Sequence, residues 1–203
     1  MRTLVIDTAT KACSVALFDG DEIVASSHEV IGRGHAERLL PLIAALPERG
    51  KTDRIFVDVG PGSFTGIRVG VAAARALGLA WKAPVHGYGC LTLVAAMARE
   101  QMGSAAAIDV VMTGGHGEYF FEAFGAYGES ISPVVSIQPD KIALLSQAGT
   151  VAGDIDPAVE GKQYLDMLPD ASKWPLIRSL APLPPSPVYG RAPDAKPPRA
   201  TST

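Results

Sequence analysis

RIFVDVGPGSFTGIRVGVAAARALG, residues 54–78, decides how this chain reads. Arg54–Val59 is nearly continuous in apolar residues, as a strand buried on both faces must be. It runs straight into Gly60-Pro-Gly-Ser-Phe-Thr-Gly66, a glycine-rich turn. The small and apolar residues after that turn predict a helix from Ile67 to about Lys82.

Working upstream, Thr3–Asp7 and Cys13–Phe18 are β-branched, apolar runs, and Glu22–Val30 alternates. Three strands joined by short connections predict an antiparallel meander. After Gly32–Gly34, the apolar residues Leu39, Leu42, Ile43 and Leu46 fall at spacings of three and four, which predicts a helix from His35. Pro41 inside it should bend it, and Pro47 and Gly50 should end it. Downstream, Val85–Tyr88 predicts a fifth strand and Leu91–Met102 an amphipathic helix. The first hundred or so residues thus read β-β-β-α-β-α-β-α. That order is the core of the ribonuclease-H-like, actin-type ATPase fold, an α/β architecture.

The second half repeats the theme weakly. Ala105–Met112, Glu118–Phe124 and Val134–Ile137 predict strands, Asp140–Ala148 a short helix from an Asp cap, and Thr150–Gly153 a buried strand. Periodicity is lost beyond Pro169. Seven of the 17 residues from Pro182 to Pro198 are proline, which predicts a tail without regular structure. The expected organisation is a first domain over residues 1–103, a reduced second copy over 104–181, and a proline-rich tail over 182–203.

Composition narrows the function classes. Of 203 residues, 47% are hydrophobic and 19% charged, which excludes a disordered chain. Eighteen basic against 21 acidic residues give a net charge of −3, without the basic excess of an independent nucleic-acid binder. Cys13 and Cys90 are too few for a disulfide framework or a CxxC zinc site. The longest apolar run, Val69–Trp81, is broken by Gly70, Arg75 and Gly78, so no membrane span is expected. The start lacks a cleavable apolar core, so the expectation is a reduced, cytoplasmic protein.

Two places could hold phosphate chemistry. Asp7 ends the first strand, where actin-type ATPases place the acid that positions a metal, and the hairpin after it offers Thr8 and Thr10. Such hairpins are rich in glycine, and here none lies between Asp7 and Gly20. The other reading of these residues is a strand-end cap. The second place is Gly60–Gly66, with Gly60, Gly62, Ser63, Thr65 and Gly66. Ser63 or Thr65 could cap the following helix, whose free N–H groups would form an anion site. It is not a Walker loop, because Ile67 stands where Lys is needed, and it is one residue too long for GxGxxG. The other reading is a tight turn with close helix–strand packing. His28, His35, His86 and His116 show no metal-ligand spacing. The helix Gly66–Ala80 is small and apolar nearly all round, as a helix buried on two sides or docked on a partner would be. No nucleophile–base pair, GxSxG elbow or HExxH motif is present, which leaves a protease little support.

At this point the residues carry a resemblance. MRTLVIDTATKACSVAL at the start, GHAERLLPLI at Gly34–Ile43, GPGSFTGIRVGVAAARALG at Gly60–Gly78 and PVYGRAPDAKP at Pro187–Pro197 resemble the bacterial TsaB family, also called YeaZ. The resemblance implies the actin-type fold with a reduced second domain. It implies a part in forming N6-threonylcarbamoyladenosine at position 37 of tRNAs that read codons beginning with A. In that system another enzyme makes the activated adenylate, and the metal-containing paralogue TsaD makes the transfer. TsaB acts as scaffold and activator of TsaD, and a small ATPase, TsaE, joins them. TsaB proteins also form homodimers through the surface used for TsaD.

The resemblance therefore implies a non-catalytic subunit that meets tRNA only within the complex and meets no membrane. TsaD-type proteins carry metal-binding histidines where this chain has His86–Val94, and the expected pair has no counterpart. The implied partner interface lies on His35, Leu39, Leu42, Ile43, Leu46, Arg68, Val69, Ala72, Ala73 and Ala76. Asp7, Thr8, Thr10, Gly60, Gly62, Ser63, Thr65 and Gly66 become a degenerate nucleotide site. No metal and no resident cofactor are expected, a weak or shared ATP or ADP at a subunit interface aside. One stretch departs from the family: Thr113-Gly-Gly-His-Gly-Glu118 keeps Gly-Glu but lacks the basic residue before it. The alternative expectation is a nucleotide-hydrolysing enzyme of the same fold, with Asp7 on the metal and Gly60–Gly66 on phosphates.

Overall fold

The computed structural model of the chain describes residues 1–190 except His116 and Asp156. The Arg191–Pro197 part of the C-terminal string, the rest of the tail to Thr203 and His116 lie outside the described residues.

The first sheet has five strands: β1 (Arg2–Asp7), β2 (Ala12–Asp19), β3 (Glu22–Val30), β4 (Arg54–Asp58) and β5 (Val85–Tyr88). Their spatial order is β3-β2-β1-β4-β5. β1 pairs antiparallel with β2, from Arg2↔Asp19 to Asp7↔Ser14, and parallel with β4, from Thr3↔Arg54 to Ile6↔Val57. The predicted meander and the buried parallel strand are both present. The direction of pairing therefore changes at β1, whose C-terminal end lies beside that of β4.

Three α-helices follow in chain order: α1 (His35–Ala45), α2 (Phe64–Trp81) and α3 (Cys90–Met102). α2 starts one turn before the predicted Ile67, because the Ser63 side chain caps it by accepting from Gly66 N at 3.2 Å. Leu4, Ile6, Ile55 and Val57 pack with Leu39 and Ile43 of α1 and Ile67 and Val71 of α2. Alternation along the strands sends Val5, Ala16 and Phe56 into another cluster. There they meet Leu93 and Ala96 of α3 and Trp174 of a 3-10 segment, Ala171–Leu176, which the sequence did not foretell.

The second sheet contains β6 (Ile108–Thr113), β7 (Tyr119–Phe124), β8 (Val135–Ile137), β9 (Thr150–Gly153) and β10 (Gln163–Asp166), in the order β10-β9-β6-β7-β8. Its pairing repeats the first sheet strand for strand: β6 is antiparallel to β7 and parallel to β9, which is parallel to β10. The copy is reduced in helices, not in strands. The predicted helix Asp140–Ala148 shrinks to a 3-10 turn, Pro139–Lys141, and one helical turn, α4 (Ile142–Leu145). Asp140 does not cap it, and Ser146 turns back to donate to Asp109 at 2.6 Å. Among the described residues no helix is long and apolar enough to cross a membrane.

The stretch from Leu183 to Gly190 is draped over the molecule. Leu183 pairs with Gly87 on the outer edge of β5, Val188 N donates to Val59 O at 2.7 Å, and Gly190 lies against Phe120 and Pro61.

Candidate functional site

In open α/β sheets, ligands bind outside the carboxyl ends of the strands, where the strand order reverses. Here that point lies between β1 and β4, and each strand ends in an aspartate. Asp7 and Asp58 are both fully buried. Asp7 Oδ2 accepts from the Tyr88 hydroxyl at 3.0 Å, and Oδ1 accepts from Ala9 N at 3.4 Å. Asp58 Oδ1 accepts from Gly60 N at 2.7 Å. The two carboxyls are hydrogen-bond neighbours, and the Cys90 thiol faces Asp58. Asp58 Oδ2 is buried and has no donor while both groups are ionised.

A proton shared with Asp7 would supply that donor. Burial, against its hydrogen bonds, raises the Asp7 carboxyl to about 6. Burial first, and the Asp7 charge second, raise Asp58 well above the usual carboxylate range. Burial and the two carboxyls raise Tyr88 and Cys90 likewise, so both remain protonated donors. Both shifts run the same way, toward a carboxyl pair that keeps a proton to higher pH than free aspartates do. Asp58, Tyr88 and Cys90 were not singled out from the sequence. The readable signal was the lone Asp that ends each of the two buried strand runs, TLVID and RIFVD.

The remaining predicted residues gather at the same place but point at protein. Thr8 is buried and donates from Oγ1 to Gly66 O at 2.8 Å, while Thr10 Oγ1 accepts from Ala12 N at 3.2 Å within its own turn. Ser63 N donates to Ala9 O at 2.6 Å. A Cβ on Gly62 would run into the Ala9 carbonyl, and one on Gly66 into the Thr8 carbonyl. The start of α2 is therefore laid directly on the turn after β1. The glycine faces turned toward Thr8 and Ala9 are closed to a phosphate. Gly60, at φ 100, lies against Val188 O and the Ile67 side chain. Thr65 is exposed on the first turn of α2.

Across from this point, Thr113 donates from both N and Oγ1 to Asp154, at 2.7 and 2.9 Å. Asp154 follows β9 as Asp58 ends β4, and Lys11 lies 3.8 Å from it. Glu118 accepts from Ser136 at 2.6 Å and Gln138 at 3.2 Å. Asp109 accepts from Ser146 and from Ala148 N and lies 3.7 Å from Lys162. Asp109 and Glu118 therefore serve separate structural networks. Among the described residues no group of three or more His, Cys, Asp or Glu is placed to hold a metal ion.

The expected partner surface needs correction on α1. His35, Leu39, Leu42, Ile43 and Leu46 are buried in the chain's own core, and His35 Nε2 lies 3.1 Å from Ala12 O. The apolar stripe of this amphipathic helix faces inward, as the physics of burial requires. Its outward face carries Ala36, Glu37, Leu40, Pro41 and Ala44, with Leu40 52% exposed. On α2 the expectation fits the burial better: Arg68, Ala72 and Ala76 are exposed, and Val69 and Ala73 half-buried. Leu79, at 84% exposed, and Phe64, at 55%, lie on the same face; Phe64 falls outside the expected stretch.

Three comparisons place this geometry among known proteins. The family model described as "TsaD: tRNA N6-adenosine threonylcarbamoyltransferase" matches residues 21–173. The tRNA threonylcarbamoyladenosine biosynthesis protein TsaB of Escherichia coli K12 is 38% identical over 120 residues, covering 55% of this chain and 52% of that protein. The TsaB protein of Haemophilus influenzae is 39% identical over 102 residues, 48% of this chain and 43% of its own length. The matched stretch thus spans about half the length of these curated relatives. The solved structure of YeaZ from Pseudomonas aeruginosa superposes with a TM-score of 0.78 at 25% identity, covering 93% of this chain and 99% of that one.

Proposed function

From a chain that belongs to the TsaD family of tRNA N6-adenosine threonylcarbamoyltransferases, in its TsaB (YeaZ) group, we propose a non-catalytic subunit of tRNA threonylcarbamoyladenosine biosynthesis. It docks on a TsaD-type transferase through the outward faces of α1 and α2 and activates it. TsaE joins the assembly, tRNA meets this chain only within it, and the complex works in the cytoplasm. Alone, the chain pairs with a second copy through the same face. A nucleotide, if the assembly holds one near this chain, is shared at a subunit interface.

The observation that carries this reading is how the carboxyl ends of β1 and β4 are filled. A carboxylate that positions a metal must be ionised and reachable. Asp7 is sealed beneath Tyr88, and Thr8 is committed to Gly66 O. The glycine turn closes on the turn after β1, where a phosphate would have to enter. The chemistry then belongs to a partner, and the feature this chain offers is an apolar helical face with Leu79 and Leu40 exposed.

The test is co-purification and light scattering with the TsaD-type protein of the same source. The expected result is a discrete heterocomplex with the wild-type chain and none with Leu79→Glu. A complex that tolerates Leu79→Glu would move the interface off α2. Absence of any complex with a folded transferase would remove the reading. The second reading, nucleotide hydrolysis, rests on the two aspartates at the switch point. Steady ATP turnover by the pure chain, abolished by Asp7→Ala, would favour it.

A further inference from the structure

Arg68 and Arg75 are the only charged side chains on α2. Both are engaged by the same stretch of chain. Arg68 Nε donates to the Tyr189 hydroxyl at 2.9 Å, and Arg75 Nη2 donates to Ser186 Oγ at 3.1 Å. The Arg68 guanidinium lies 3.6 Å from the Phe64 ring centroid and 5.5 Å from that of Tyr189, whose rings are 5.3 Å apart. This segment is itself fixed at Leu183 on Gly87, at Val188 on Val59, and at Gly190 against Phe120. It is a strap anchored on both sheets.

Helix geometry gives the consequence. At about 100° per residue, Phe64, Arg68 and Arg75 form one flank of the outward face of α2. Leu79, Ala72, Thr65 and Ala76 form its middle, and the half-buried Val69 and Ala73 form the flank nearer the core. A free arginine on the first flank can lie across the middle, because its long apolar stem covers neighbouring surface. With both guanidinium groups turned to the strap, the middle is left uncharged, with Leu79 standing among small residues. A strip of that kind is complementary to its own copy across a two-fold axis, where a charged strip would repel itself.

We propose that the strap Leu183–Gly190 is a positioning element of the docking face: it holds Arg68 and Arg75 to one side so that a second copy of this chain can seat on the middle of α2. This rests on the reading of α2 as the docking face. Tyr189 and Ser186 are positioning residues in it, acting through the two arginines.

The test is the self-association of the full chain by sedimentation equilibrium, with melting temperature as the control for folding. The double variant Tyr189→Ala/Ser186→Ala should weaken the dimer about tenfold, about 1.4 kcal/mol, with its melting unchanged. Adding Arg68→Met/Arg75→Met to it should restore association to within about threefold of wild type, as a coupled pair of sites demands. Ala76→Glu probes the face itself and should give a monomer. Weak association that the arginine substitutions do not restore would mean that the strap contacts the other copy directly, and would overturn the inference. A strap variant that dimerises as wild type while Ala76→Glu is monomeric would overturn the strap's role and leave the docking face standing. A folded Ala76→Glu that still dimerises, or a wild-type chain that stays monomeric, would overturn both.

Discussion

At the scale of single residues, the Asp7–Asp58 pair makes stability depend on pH with an unusual sign. Most buried carboxylates in ion pairs are lowered, and they protect a fold as pH rises. Here both are raised, Asp7 to about 6 and Asp58 further. The folded chain therefore holds more protons than the unfolded one, whose aspartates titrate near 3.9. Stability from this pair is present below that value and falls as pH rises through about 6 and beyond. One extra proton corresponds to about 1.4 kcal/mol per pH unit. Asp58→Asn supplies a permanent donor to Asp7 in place of the proton, so it should flatten the decline between pH 5 and 8 and melt higher than wild type at pH 8. Urea titrations across that range check it, and an unchanged slope would show that the pair shares no proton. Close approach is a second residue-scale constraint. Gly66→Ala and Gly62→Val each push a Cβ into a backbone carbonyl of the turn after β1, with an expected loss of about 1–3 kcal/mol or more. Gly115→Ala, in open space, should melt with wild type. A Gly66→Ala protein that does the same would show that α2 can withdraw from β1 without cost. Of this site, the sequence revealed Asp7 and the glycines but not their use. A glycine string reads alike whether the close neighbour is a phosphate or the chain's own carbonyl. Tyr88 and Cys90 arrive from β5 and α3, through pairings that no local pattern displays.

At the scale of elements, legibility followed how far an element depends on its own residues. β9 was placed to the residue and β7 to within one, because short apolar runs between turn residues are self-declaring. β10, Gln163–Asp166, shows no alternation of its own and exists because β9 offers it an edge. The 3-10 segment Ala171–Leu176 is fixed by tertiary contact. Trp174 packs 4.5 Å from the Phe56 ring and 6.0 Å from that of Phe18, and the Asp170 carboxylate caps the segment by accepting from Ser172 N at 2.8 Å. On α1 the helical period was right and its outward side was misjudged, since the apolar stripe was expected at a partner. A paired substitution separates the two sides. Leu42→Ala removes a side chain packed in the core and should cost about 2–5 kcal/mol. Leu40→Glu, on the outward face, should change the melting temperature little and weaken association. Equal destabilisation by both would place Leu40 in the core as well.

At the scale of the whole molecule, two five-stranded sheets with the same order and directions could be expected to behave as two domains, and the predicted boundaries at 103 and 181 imply as much. The packing argues for one cooperative unit. One continuous cluster contains Leu4 and Ile55 from the first sheet, Leu91 and Val94 from α3, and Val110 and Leu165 from the second sheet. The chain also returns after β10. Ala171 N donates to Ser14 Oγ at 3.0 Å, and Trp174 and Ile177 join the cluster against the first sheet, although they belong to the stretch assigned to the second half. Lys11 reaches Asp154, and the strap ties Gly87 to Phe120 through Leu183 and Gly190. Opening the second sheet alone would strip α3 of one of its two packed sides. That exposes apolar surface on the first sheet's side at about 25 cal/mol per Å². Unfolding should therefore be a single transition, with equal calorimetric and van't Hoff enthalpies. Val110→Ala in β6 should lower the one melting temperature without splitting it. The sharpest readout is a first-sheet probe: in a Trp81→Phe background, Trp174 fluorescence must move with the far-ultraviolet dichroism of the whole chain in that variant. If Trp174 kept its native emission while part of the dichroism was lost, the second sheet would melt on its own, and the boundary near residue 103 would be a thermodynamic one.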